Sequence, residues 1–137
     1  MIDHENGDKS YVAQQTKTYS ANGDTEELTY VFEVDSGGTP TGHAELRKDL
    51  LSEDGFFKDK PFVGYTTTHD GFTGLGLGRR RIILMNALSQ MHYHLPLHSS
   101  TSISPGHEIK IWERLVAEGK ARKYRENSKD RYAFLES

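Results

Sequence analysis

Thr73-Gly74-Leu75-Gly76-Leu77-Gly78-Arg79-Arg80-Arg81-Ile82-Ile83-Leu84 is the stretch on which the reading of this chain turns. A glycine at every second position leaves backbone N–H groups unobstructed, and the helical period that begins after Gly78 puts the first turn of a helix directly behind them. The first N–H groups of a helix have no partner inside it, and the helix dipole is positive at that end, so the stretch predicts a phosphate cradle. Two better known glycine loops do not fit. The dinucleotide fingerprint would need a glycine or alanine where Arg79 or Arg81 stands, and the P-loop would need a Gly-Lys-Ser/Thr ending. Arg79, Arg80 and Arg81 occupy the first helical turn, where each cation is disfavoured by roughly 0.3–1 kcal/mol. A bound polyanion would reverse that sign, and guanidinium forks suit phosphate oxygens. A solvated basic face, or contact with nucleic acid, is the competing reading of the same three residues.

Upstream of the loop the sequence reads as strands. Tyr11 to Tyr19 is rich in β-formers and runs into Ala21-Asn22-Gly23-Asp24, whose Asn-Gly pair favours a tight hairpin turn. Leu28 to Asp35 follows, then a turn at Ser36-Gly37-Gly38-Thr39-Pro40, a third strand over Thr41 to Arg47, a loop over Lys48 to Lys60, and a strand over Pro61 to Thr68. Downstream, Leu84, Ala87, Leu88 and Met91 form an apolar stripe on a helix from about Arg79 to His92. Leu95 to Thr101 is short enough for a strand. Ser104-Pro105 supplies the start of a second helix bearing Ile111, Trp112 and Leu115 on one side, with Gly119 as its C-cap and Arg131 to Leu135 as a closing strand. This order predicts one α+β domain over residues 11–137: a mostly antiparallel twisted sheet of about six strands with helices packed on it. Residues 1–10 are polar and aperiodic and read as a flexible leader.

Composition narrows the function classes. At 137 residues the chain suits a single core, and its formal net charge of −3 makes nucleic acid an unfavoured partner, so any anion site must be local. Cysteine is absent, which excludes disulfides, thiolate metal sites and a cysteine nucleophile. His92, His94 and His98 have no carboxylate or cysteine partner nearby in sequence and do not make a metal set. No apolar run approaches the roughly 18 residues of a membrane span, and the start lacks the basic and apolar regions of a signal peptide, so the expected location is the cytoplasm. Hydrophobic residues make up only 34% of the chain, so a bound ligand or a second copy in a homodimer would help to stabilise so small a core.

With the loop, the element order and the second helix in view, the chain resembles the GCN5-related N-acetyltransferases (GNATs). These grip the pyrophosphate of acetyl-CoA with a Gln/Arg-x-x-Gly-x-Gly/Ala loop between the family's fourth strand and third helix. Gly76 and Gly78 match the paired glycines, and Ile111-Trp112-Glu113-Arg114-Leu115 with Gly119 and Ala121 is similar to the family's Phe-Tyr-Glu-Lys-Leu-Gly-Phe segment. The resemblance spans roughly Thr41 to Leu135. It implies an α+β GNAT-like fold, acetyl-CoA as acyl-donor substrate, and donor contacts from Thr66, Thr67, Thr68, Thr73, Gly74, Leu75, Gly76, Leu77, Gly78, Arg79 and Arg80.

Three departures stand out. Thr73 replaces the usual Gln/Arg. Trp112 stands where many members carry the tyrosine that protonates the departing CoA thiolate, work an indole N–H cannot do. The Asn-Gly hairpin replaces the two helices that usually wall the acceptor, which implies an open site suited to a protein or other large amine. Candidates for proton handling are Glu45 on the third strand, His69 beside Asp70, Ser100 in the serine cluster where the family's splayed strands admit the pantetheine arm, and Tyr124 as a substitute acid. Each has a plain alternative: a solvent-facing carboxylate, turn chemistry, loop solvation, and ring packing on the sheet. Function divides accordingly between an N-acetyltransferase acting on an unidentified amine and a GNAT-like module that binds CoA and acts through protein–protein contact.

Overall fold

The computed structural model describes residues 1–18, 25–49, 60–100, 107–126 and 128–136. The Asn22-Gly23 turn, Phe56, Phe57, and the Ser104-Pro105 helix start lie outside them. Within them the chain is α+β. Five strands form an antiparallel sheet in sequential order: β1 (Ile2–Asp3), β2 (Lys9–Thr18), β3 (Thr25–Val34), β4 (Pro40–Asp49) and β5 (Phe62–Thr68). Two helices follow, α1 (Leu77–Tyr93) and α2 (His107–Ala117), and then a hairpin of β6 (Ala121–Glu126) and β7 (Lys129–Phe134) that pairs as its own two-stranded sheet.

The sheet is five strands plus a separate pair, not one sheet of about six. Among the described residues, the segment read as a strand over Leu95 to Thr101 pairs only through His98, by isolated bridges to Phe62 on one side and Ala133 on the other. The stretch read as a leader is also tied down: Ile2 pairs with Ser10 and Asp3 with Lys9, and the turn between them is closed by His4 and Gly7. A strand of two residues has no periodicity to read. β6 was not foreseen either, because Ala-Arg-Lys-Tyr-Arg-Glu is mostly charged and pairs along one edge only.

The β2–β3 hairpin holds register over its whole length, from Lys9 opposite Val34 to Thr18 opposite Thr25. Val31, Ala44, Leu46 and Val63 sit on the sheet face that receives Ile82, Met85 and Leu88 of α1, and the same core takes in Leu97, Trp112, Leu115, Tyr132 and Phe134. Each fully buried side chain of this size contributes about 1.5–3 kcal/mol, so this one cluster carries the fold. Trp112 stacks on Tyr132 with ring centroids 6.1 Å apart and meets Phe134 edge-on at 5.2 Å. The opposite face of the large sheet carries Tyr11, Phe32 and Tyr65, all exposed, around His43.

The buried face of α1 differs from the predicted stripe. It comprises Leu77, Arg81, Ile82, Met85, Leu88 and Ser89, while Ala87 and Met91 face solvent. Two polar residues occupy core-facing positions because each has a dedicated partner: Arg81 an ion pair, described below, and Ser89 a hydrogen bond donated to the Leu95 carbonyl at 2.8 Å. At the end of α2 the prediction holds. Gly119 takes a left-handed φ of 76°, its N–H bonds Val116 O at 3.0 Å, and the Lys120 N–H bonds Leu115 O at 2.9 Å, a Schellman closure.

Candidate functional site

The glycine stretch forms the turn into α1. Gly74 and Gly76 have φ of 81° and 76°, and Gly76 is the N-cap without any side-chain cap bond. No acidic residue sits in the first turn. The helix therefore begins with amides that no carboxylate of its own first turn satisfies. In front of them lies a cavity of about 680 Å³ lined by Thr66, Thr67 and Thr68 of β5, by Thr73, Gly74 and Gly76 of the loop, by Leu77, Gly78, Arg79 and Arg81 of α1, and by Glu108, Lys110, Ile111 and Arg114 of α2.

β5 is tied at its start to the segment around His98. His98 N–H bonds Pro61 O at 2.7 Å and Val63 N–H bonds His98 O at 3.0 Å. Beyond that point β5 shifts register against β4, between Glu45 and Leu46, and Gly64 takes up the shift. Thr66 and Thr68 then line the open side.

The three arginines are not arranged as the sequence suggests. Arg81 is fully buried: its guanidinium donates to Glu33 Oε1 at 2.7 Å, Thr66 Oγ1 at 2.8 Å and Thr68 Oγ1 at 2.7 Å. Gly42 makes room for it, since a Cβ there would stand 2.3 Å from Arg81 Nη1. Arg80 turns away from the cavity to Asp8 at 2.9 Å, with Glu33 at 3.6 Å. Its guanidinium, together with Asn6 and His4, holds the Asp8 carboxyl below its usual range against the opposing effect of burial. Arg79 alone stays at the cavity mouth, in a two-pronged contact with Glu118 at 2.6 and 2.9 Å. The cationic first turn is thus matched by protein carboxylates brought in from β3, from the β1–β2 turn and from the end of α2. Of the predicted donor contacts, Thr66, Thr67, Thr68, Thr73, Gly74, Gly76, Leu77, Gly78 and Arg79 line the cavity; Arg80 and the exposed Leu75 do not.

The four candidates for proton handling lie at separate points. Ser100 is buried beside the cavity and donates to Glu108 Oε1 at 2.8 Å, while Glu108 Oε2 accepts from Trp112 Nε1 at 3.0 Å and from the Ser100 amide at 3.2 Å. Glu45 is buried on β4, ion-paired to Arg47 at 2.5 Å, and overhangs Gly64, where a Cβ would come within 2.9 Å of its Oε1. His69 bonds His43 across 3.1 Å, and burial, then His69 and Arg81, hold His43 below the usual imidazole range. Tyr124 faces His98, with its hydroxyl 2.8 Å from Nδ1. Burial pushes the Tyr124 phenol up, which opposes ionisation at neutral pH. Only Ser100 touches a cavity-lining side chain.

Glu108, Lys110 and Arg114 were missed by the sequence reading. All three lie on the second helix, and their i, i+4 relation between Lys110 and Arg114 was the available signal. Their nearness to the loop depends on how α1 and α2 pack, which no local pattern encodes. Among the described residues no three metal-ligating side chains cluster, and no helix is long and apolar enough to cross a membrane. No protein-family model matches the chain, and no curated protein matches it.

Proposed function

We propose that the chain is an acetyl-CoA-dependent N-acetyltransferase of GNAT type, passing an acetyl group to an amine. The observation that carries this reading is the cavity itself. A bare glycine turn at the head of α1 lines it together with Thr66, Thr67 and Thr68 of β5. A diphosphate suits the glycine end, where unpaired amides and the helix dipole favour anions. A thin pantetheine arm suits the gap along Thr68, Thr67 and Thr66, and the thioester would then lie near Gly64, with Glu108 and Ser100 on one side and Glu45 on the other. Attack by a neutral amine forms the C–N bond and expels CoA thiolate, and a carboxylate near the amine would take up its proton. Among the described residues no helix packs on the sheet face that carries Glu45, Tyr65 and Phe32, which supports a large acceptor such as a protein.

Isothermal titration with acetyl-CoA tests this directly, with binding expected in the micromolar range; no heat at millimolar ligand would sink the donor assignment. A second reading has its own support. Trp112 is fully buried and its N–H is engaged by Glu108, so the position that resembles the family's acid offers the cavity no proton. A CoA-binding module that acts through protein contact would bind the donor and release no thiol across a broad amine panel.

A further inference from the structure

The cavity is cationic in an acidic protein. Arg79, Arg81, Lys110 and Arg114 line it against Glu108 alone, while the chain as a whole carries −3. The partners of these groups divide them. Arg81 is matched by Glu33 and Arg79 by Glu118, and Glu108 is occupied by Ser100 and Trp112. Lys110 and Arg114 have no ion-pair or hydrogen-bonding partner among the described residues. Several other exposed cations are matched, Lys120 with Glu118, Lys123 with Glu113 and Arg125 with Asp130. The two unmatched cations stand one helical turn apart on α2, so their side chains share a face and converge on a single target. That face is the cavity wall, set against the glycine turn rather than continuous with it, because α2 contributes Lys110 and Arg114 while α1 contributes Gly78 and Arg79.

Resting on the donor reading above, we infer that Lys110 and Arg114 hold a second phosphate of the ligand, separate from the diphosphate at the glycine turn. A terminal phosphomonoester carries a charge of about −1.5 to −2 at neutral pH and presents three acceptor oxygens, which a guanidinium fork and an ammonium can share. CoA has this arrangement, a diphosphate with a 3′-phosphate on the ribose, and its 3′-dephospho form lacks only the second group. The cavity therefore selects the phosphorylated nucleotide over the dephosphorylated one through two side chains that have no ion pair or hydrogen bond among the described residues.

Titration calorimetry with CoA and with 3′-dephospho-CoA, on the full chain and on the Lys110→Ala/Arg114→Ala variant, reads this out. The parent chain should bind CoA ~10-fold tighter or more, the scale of charge-assisted contacts. The variant should bind the two ligands within about twofold of each other, with dephospho-CoA affinity unchanged from the parent. Both side chains are exposed, so the variant's melting temperature should match the parent's. Equal affinities in the parent chain, or a preference that survives in the variant, overturn the phosphate assignment and leave the donor reading standing. Failure of both ligands to bind the parent overturns the two together.

Discussion

Arg81 shows how one side chain can reverse the reading of a motif. Its guanidinium and the Glu33 carboxylate are both essentially inaccessible, 2.7 Å apart, and two threonine hydroxyls accept from two more of its N–H groups. Removing one member of such a buried pair strands the other, at a cost of about 3–5 kcal/mol, whereas replacing both by apolar groups is often close to neutral. Arg81→Ala should therefore lower unfolding free energy by about 3–5 kcal/mol, and Arg81→Met with Glu33→Leu by much less, as measured by urea denaturation. A single substitution costing under about 1 kcal/mol would show the pair to be solvated. The Arg79-Arg80-Arg81 run signalled a polyanion only as long as its carboxylate partners were unseen. Glu33 and Asp8 are 48 and 72 residues from the arginines they meet, and no local pattern announces a pairing at that separation.

At the scale of elements, what could be read from sequence is what local chemistry dictates. The β2 and β3 strands follow from their β-formers, α2 from an apolar face ending at Gly119, and the loop into α1 from alternate glycines. The misread elements are those whose reason lies elsewhere in the fold: β1 exists because Lys9 and Ser10 offer it an edge, and the wet-looking side of α1 is buried because Glu33 waits there. The candidate site divides in the same way, its glycine half local and its α2 half dependent on packing. Gly76 tests the local half. A Cβ there would meet no atom within 4 Å, so Gly76→Ala changes only the backbone cost of a φ of 76°. That cost is about 1–2 kcal/mol for a residue with a side chain. Stability should fall by that amount in thermal or urea melts. Affinity for CoA should fall further if the left-handed turn is what presents the amides, and an unchanged Kd would remove the turn from the donor site.

The molecule as a whole is two sheets joined by a seam, and His98 is its centre. The Leu97 and Ser99 backbones bond Phe134 and Tyr132 of β7, while His98 bonds Pro61 and Val63 at β5, so the five-stranded sheet and the hairpin share this short segment. The imidazole of His98 is buried against Tyr124, and burial, then Arg122, Arg131 and Lys60, push it down to about 4 from an ordinary 6.5. The unfolded chain therefore binds a proton at His98 at a higher pH than the folded chain does. Above about 6.5 both states are neutral and the group costs nothing. As pH falls from 6.5 towards 4 the unfolded state gains a proton first, and the protein loses stability by up to about 3 kcal/mol. Carboxylates held low by their partners, Asp8 and Glu113 among them, add acid sensitivity of their own at lower pH, so the test is a difference between two proteins. Unfolding free energies of the parent and of His98→Asn, measured at pH 7.5 and at pH ~4.5, should diverge in slope, the parent losing about 2–3 kcal/mol more than the variant over that interval. Parallel losses in the two proteins would mean that His98 charges freely in the folded state, and that the seam is open to water rather than sealed by Tyr124 and the strands on either side.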